Sequence, residues 1–403
     1  MDPQPSTAGT GAAPQRRSTP ASPGPPLVIV GASCRAAAVS AAAAGWAVYA
    51  ADMFDDADLA ATAVATRRAR HYPRGLVAAA ATFPPAPWCY TGALENHLHI
   101  LGSIAKTRPL AGNDAAAVGL VRDVGALAVV LRCAGLRAAE TFTTPAGLPT
   151  DGSFLRKPRA SAGGRGIVAW TPLAPPVREP CVWQRLTTGE PLSAVLALSA
   201  DSGRILGVTR QRVGAALCRA PAFAFCGAIH VPRASVPAAV RPQFDLLATT
   251  LAAPCGLRGV VGVDAILESD GRLTVLEVNP RPTASAELVE RAEGTSIMAA
   301  HLAAFGHASP NPSPAGCPAV WSKAILFAAR PTPIDASLLE RLAERASPWA
   351  AADGHPALAD IPRPGQVLRA GGPVLTVFAR GDTEAESVAE LDRRIAAVID
   401  LTG

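Results

Sequence analysis

The sequence predicts a multidomain protein of mixed α/β and α+β class, and three observations carry that prediction. A short apolar run, Leu27-Val28-Ile29-Val30, meets a glycine turn, an alanine-rich helix and a second strand that closes on Asp52. Past about residue 150 the pattern changes to strands separated by glycine turns. At 403 residues the chain also exceeds what one hydrophobic core usually serves, so two or three domains are expected.

The elements follow in order. The apolar run fits a strand buried on both faces. Gly31-Ala32-Ser33 turns into a helix from Arg35 to Ala44, ended by Gly45, and Val48-Tyr49-Ala50 is the second strand of a βαβ unit. GASCRA lacks the second and third glycines of a dinucleotide fingerprint, so its turn reads as structural ahead of cofactor-binding. Leu76 to Ala80 fits another strand, and a Pro-rich loop then leads to Tyr90-Thr91-Gly92-Ala93-Leu94-Glu95-Asn96. His97 and His99 share a face only in a strand and have no third ligand nearby, so they read as solvated or packing histidines. Asp114 to Cys133 predicts one helix ended by Gly135. Strands follow at 154–157, 167–170, 181–186, 193–200 and 204–209, then a helix at 242–251. A hairpin spans 260–278, a helix runs from Ala284 to Glu293, and a Pro/Gly-rich linker covers 306–317. Strands at 319–327 and 374–379 and a helix at 384–398 complete the chain, with no internal repeat.

Composition narrows the function classes. Hydrophobic residues make up 49% and charged residues 17%, enough for a buried core. The net charge of +5 is mild, and no Lys/Arg run or basic stripe with interleaved aromatics points to nucleic acid. Only Lys106, Lys157 and Lys323 are lysines, so where Arg is the default cation a retained Lys invites a role that a planar fork does not fill. Eight scattered cysteines show no CxxC pair and no Cys/His metal spacing, which reads as free thiols in a reducing cytoplasm. Residues 1–26 read as a disordered tail: no apolar segment follows Arg16-Arg17, and no membrane span is found.

The hairpin VVGVDAILESDGRLTVLEVNPRP is the most informative piece. Asp270-Gly271 is a strong signal for a two-residue turn, and with that loop Ser269 faces Arg272 and Asp264 lies across from Glu277. Alternation puts Asn279 on the face of Glu277. Like charges directly opposite repel, so a cation explains the pair, and an all-oxygen set from few protein groups suits Mg2+ shared with phosphate. Arg281 stands beside this patch as a phosphate fork. The second piece is Ala160-Ser161-Ala162-Gly163-Gly164-Arg165-Gly166, whose glycines let backbone N–H groups curl around an anion. Strands flank it and no GK[ST] ending follows, so it is not a P-loop; Lys157 leads into it.

LRKPRASAGGRGI, CVWQRLTTGEPLSAVLAL and GVVGVDAILESDGRLTVLEVNPRPTAS stand in the order of ATP-grasp motifs. Over roughly 27–308 the chain resembles ATP-grasp carboxylate–amine ligases. The resemblance implies a Rossmann-like pre-ATP-grasp domain at 27–113, an ATP-grasp domain at 114–308 and a C-terminal β-rich, biotin-carboxylase-like subdomain at 318–403. It implies ATP and Mg2+ as cofactors. Lys157 would contact phosphate, and the loop with Ser161, Gly163, Gly164 and Gly166 would close over the triphosphate. Gln184, Arg185 and Leu186 would form the hinge strand beside adenine, with Glu190 as the acidic ribose contact. Asp264, Glu277 and Asn279 would hold the metal, and Arg281 would stabilise the transferring phosphate. The hinge and segment 223–229 are also similar to uncharacterised ATP-grasp proteins linked with one-carbon carrier biosynthesis of tetrahydromethanopterin or methanofuran type.

Two positions depart from that pattern. An early nucleotide lysine is expected where Val124 stands, beside Arg122 and Asp123, and Glu190 follows Gly189 one place early. The implied reaction activates a small-molecule carboxylate as an acyl phosphate and joins it to an amine, with a homo-oligomer left open. Arg210, Gln211 and Arg212 read equally as anion-binding or as surface residues. The alternatives are a catalytically degenerate ATP-grasp nucleotide-binding protein and, further behind, a nicotinamide-dependent oxidoreductase.

Overall fold

The computed structural model describes residues 24–311, 319–349 and 354–402. Most of the expected 1–26 tail and the second half of the 306–317 linker, Cys317 included, lie outside the described residues, while Pro26 already begins the first strand.

Strand Pro26–Val30 lies in a four-stranded parallel sheet, between Ala47–Asp52 and Trp88–Tyr90, with Ala65–Arg68 at the edge. Its apolar run is continuous because helices cover both faces. Leu27 and Ile29 pack on Ala37, Ala38 and Ala41, and Val28 and Val30 on Leu76 and Ala80. That second contact corrects the reading of 76–80 as a strand: Gly75–Ala81 is a helix, with Leu76 and Ala80 buried four apart. A short apolar run carries no period that separates the two states. The expected 114–133 helix is likewise two helices, Ala115–Arg122 and Val124–Cys133. Asp123 divides them, its carboxylate accepting from Gly125 N and Ala126 N as an N-cap.

The centre of the molecule is a nine-stranded sheet. Its order is Leu358–Ala359, Pro373–Gly381, Val320–Phe327, Phe225–Val231, Gly203–Val213, Glu190–Leu198, Gly259–Leu267, Leu273–Asn279 and Arg137–Ala138. The C-terminal strands thus continue this sheet. Helix Val240–Ala252 covers one face through Phe244, Leu247 and Leu251 against Leu192, Ala194, Leu196 and Val263. A four-stranded antiparallel sheet of Thr141–Phe142, Cys181–Arg185, Phe154–Pro158 and Val168–Ala169 is joined to it where Gln184 Nε2 donates to Leu276 O at 3.3 Å. Among the described residues no helix is long and apolar enough to cross a membrane.

The hairpin turn differs from its expectation. Glu268 N donates to Arg272 O and Gly271 N to Glu268 O, so the loop holds Ser269, Asp270 and Gly271, the last at φ +78°. Three-residue loops of this kind place glycine in the left-handed region. The extra loop residue shifts the register by one, and a bulge at Leu276 shifts it back, so Asp264 still pairs with Glu277.

Candidate active site

The hairpin delivers three oxygen-bearing side chains to one cavity of about 550 Å³. Asp264, Glu277 and Asn279 line it, together with Leu276 from the bulge. Asp264 Oδ1 accepts from Gln211 Nε2 at 2.7 Å and Oδ2 from Asn279 Nδ2 at 3.1 Å. Burial, with the Glu277 carboxylate opposite, pushes the Asp264 carboxyl up to about 6. A buried carboxylate whose ionised form is disfavoured in this way, with a second carboxylate opposite it, fits a hard divalent cation, which takes few protein oxygens and keeps positions for phosphate and water. Among the described residues no group of three His, Cys, Asp or Glu side chains surrounds the point, so such an ion would take its remaining oxygens from elsewhere.

The opposite wall comes from the smaller sheet. Lys157 donates through Nζ to Gln184 Oε1, while Gln184 Nε2 donates to Thr141 Oγ1 at 3.1 Å. Burial lowers the Lys157 pKa, against the pull of Glu277 and Asp264. Gln184 therefore aims the lysine. The glycine loop leans on the segment before Phe225–Val231: Phe225 N donates to Gly163 O at 3.0 Å. Gly164, at φ +75°, lies so close to that segment that a Cβ would stand 1.9 Å from Phe223 O.

Arg281 sits between these walls, 9% exposed. It pairs with Glu95 at 2.5 Å and donates to Asn279 Oδ1 at 3.3 Å, so the amide oxygen faces the guanidinium. Burial disfavours both charges, yet each partner overrides it: Arg281 is held above its usual range and Glu95 below its own. The fork lies flat against Gly92, where a Cβ would come within 2.9 Å of Arg281 Cζ. Arg281 Nε and the Thr283 hydroxyl, both on residues lining the cavity, are buried with no hydrogen-bond partner among the described residues. Buried groups of this kind normally find a partner, so they fit a polar ligand.

The far end of the cavity carries a charge network from three regions of the chain. Arg35 Nε donates to Asp360 Oδ1 at 2.9 Å, and Arg35 Nη2 to Glu287 Oε2 at 3.0 Å. Lys323 Nζ reaches Glu287 Oε2 at 3.3 Å, and Arg291 reaches Glu287 Oε1 at 3.2 Å. Burial raises the Glu287 pKa, but Arg35, Lys323 and Arg291 together drive it well below the carboxylate range. None of these residues belongs to a local motif. The scarcity of lysine was the one signal that marked Lys323.

Of the residues singled out in the sequence, Lys157, Gly163, Gly164, Gln184, Arg185, Leu186, Asp264, Glu277, Asn279 and Arg281 line this cavity. Arg185 points outward to Glu140 at 2.5 Å, and Leu186 bonds through its backbone N to Ser153 O. Ser161, Gly166 and Glu190 are not part of the wall. Ser161 closes the loop by donating to Arg165 O, and Gly166 ends it at φ +76°. Glu190 pairs with Arg210, which also pairs with Glu384 of the C-terminal helix Glu384–Thr402. Strand alternation splits the 210–212 triplet: Gln211 faces the cavity, and Arg212 pairs with Asp392. His97 packs edge-on against Tyr72 and His99. Gly31 is needed because a Cβ there would stand 1.9 Å from Thr91 Oγ1, which accounts for the turn structurally.

Residues 135–285 match the ATP-grasp domain family. Among solved structures the chain is similar to the carboxyaminoimidazole ribonucleotide synthase of Aspergillus clavatus complexed with ATP, at 15% identity and a TM-score of 0.66, covering 94% of this chain and 98% of that one. It is similar to the N5-carboxyaminoimidazole synthetase of Staphylococcus aureus at 14% identity and 0.63, covering 93% and 98%. It is also similar to biotin carboxylase of Campylobacter jejuni at 13% identity and 0.65, covering 90% and 89%. No curated protein sequence matches significantly. At these identities the likeness establishes the fold: an ATP-grasp domain with elements before and after it laid out as in those enzymes.

Proposed function

We propose that this chain, which carries an ATP-grasp domain, is an ATP-dependent ligase that joins a small-molecule carboxylate to an amine with release of ADP and phosphate. One observation carries the reading: a single cavity runs from the strand bearing Gln184 past Lys157 and the acidic pair to Arg35 and Lys323. Nucleotide and acceptor substrates would therefore share one continuous space.

The chain's own residues supply positioning and charge neutralisation, which phosphoryl transfer chiefly needs. Asp264, Glu277 and, after its amide turns, Asn279 would hold Mg2+, which when bound offsets the charge on transferring phosphate. Lys157, aimed by Gln184, faces the phosphate side, and Arg281, kept charged by Glu95, stands where the transferring group passes to the acceptor. The glycine loop, seated on Phe223 and Phe225, excludes water that would hydrolyse an acyl phosphate. A substrate carboxylate takes the γ-phosphoryl group, and the amine nitrogen then displaces phosphate to form the amide. The likeness of the hinge and the 223–229 segment to proteins of one-carbon carrier biosynthesis suggests the substrates to try first. The free thiols of the described cysteines suit a reducing cytoplasm.

Lys157→Ala and Glu277→Ala should each cut substrate-dependent ADP release at least ~100-fold while leaving the fold intact by circular dichroism. Unchanged turnover in either variant removes the reading. Mg-ATP binding with no ADP formed across a panel of carboxylates and amines would instead favour a nucleotide-binding protein without ligase activity, a reading that Val124 supports.

A further inference from the structure

The turn that lacks the expected lysine holds another cation. Val124 lines a different groove, formed with Val129, Leu136 and Thr141, and does not face the active-site cavity. Arg122, two residues earlier, ends helix Ala115–Arg122 just before the break at Asp123. Its guanidinium makes three contacts that no single motif predicts. One Nη pairs with Glu277, and the other donates to Asn96 Oδ1 at 2.7 Å and to Arg159 O at 3.3 Å. Asn96 in turn donates through Nδ2 to Ser161 O at 3.0 Å. Arg159 and Ser161 are the entry of the glycine loop, and Glu277 is half of the acidic pair.

We infer that Arg122 is a positioning residue that couples the metal-side carboxylate to the glycine loop. The inference rests on the proposed nucleotide site. It follows from guanidinium geometry: a planar fork satisfies two directions at once, while an ammonium is a point charge. One edge orients the Glu277 carboxylate by occupying Oε1, leaving Oε2 for a ligand, and the other edge anchors the loop base directly and through Asn96. The fork is only partly exposed, with 20% of the side chain accessible, so its orientation is set by these partners.

The test uses the full chain, with Mg-ADP as the probe. Calorimetry gives its affinity, and limited trypsin digestion reports the loop, because Arg165 lies exposed within it. Arg122→Ala should weaken Mg-ADP binding by about tenfold, as loss of a residue that orients a metal ligand does. It should also abolish the protection that Mg-ADP gives against cleavage at Arg165. Arg122→Lys should recover most of the affinity, since it still pairs with Glu277, but not the loop protection. Wild-type affinity and protection in Arg122→Ala overturn the inference, as does full recovery of both by Arg122→Lys, which would make charge alone sufficient. If the wild-type chain binds no Mg-ADP, the proposed nucleotide site itself fails and the inference falls with it.

Discussion

Glu287 is the residue on which three parts of the chain meet, and replacing it by glutamine isolates the electrostatic part of that meeting. Its side chain is 10% exposed and is touched by Arg35 from the N-terminal βαβ unit, Arg291 from its own helix and Lys323 from strand Val320–Phe327. Glutamine keeps the shape and one acceptor oxygen but removes the negative charge that these cations share, leaving Asp360 and Asp58 as acidic partners of Arg35. Breaking a buried, hydrogen-bonded pair from one side costs about 3–5 kcal/mol. For a cooperative unit of about 150–250 residues that is a fall of roughly 6–20 °C in melting temperature. Differential scanning calorimetry at pH 7 measures it, and the pH dependence tests the cause. Because the folded carboxylate titrates well below its unfolded value, its contribution is complete above the unfolded pKa of about 4.3 and is lost as pH falls toward the folded one. The gap between wild type and Glu287→Gln should therefore stay flat from pH 8 to about pH 5 and close only in stronger acid. A deficit under about 1 kcal/mol at pH 7 would refute the argument, since it would mean that the cations find equal partners without Glu287.

Asp264→Asn should do the opposite to stability. The wild-type carboxyl is raised to about 6, so it destabilises the fold increasingly between the unfolded value near 3.9 and pH 6. The variant should melt higher at pH 8, by about 1–3 kcal/mol, with the gain shrinking in Mg2+, and it should lose ADP release; equal melting with and without Mg2+ would count against a cation at the pair. Gly164→Ala places a methyl group 1.9 Å from Phe223 O in a left-handed backbone, so the loop should no longer seat. Faster trypsin cleavage at Arg165 with an unchanged melting temperature is expected, and wild-type cleavage would show that the loop docks elsewhere.

What the sequence determined by itself was built from near neighbours. The first βαβ unit is legible because Leu27 to Val30 is apolar on both faces and Gly45, at φ +91°, ends the helix that follows. The acidic hairpin is legible because alternation and one turn signal reach across only a few residues, although the pairing of Asp264 with Glu277 survived through two departures that cancel. The loop is one residue longer than expected, and Leu276 bulges out to restore the register. Lys157 and the glycine loop were visible because the strand, the lysine and the glycines are contiguous.

Only the tertiary structure decided which charges are free to act. Glu190 had an acidic residue's credentials for a ribose contact, yet it pairs with Arg210, which also holds the distant Glu384. Glu95 holds Arg281, and Arg122 holds Glu277, across 186 and 155 residues of chain. Arg35, Glu287, Lys323 and Asp360 form one network from segments up to 325 residues apart. Local propensity and periodicity carry no information about such pairs, because ion pairing depends on distance in space and on burial, which the packing of three segments around one cavity sets.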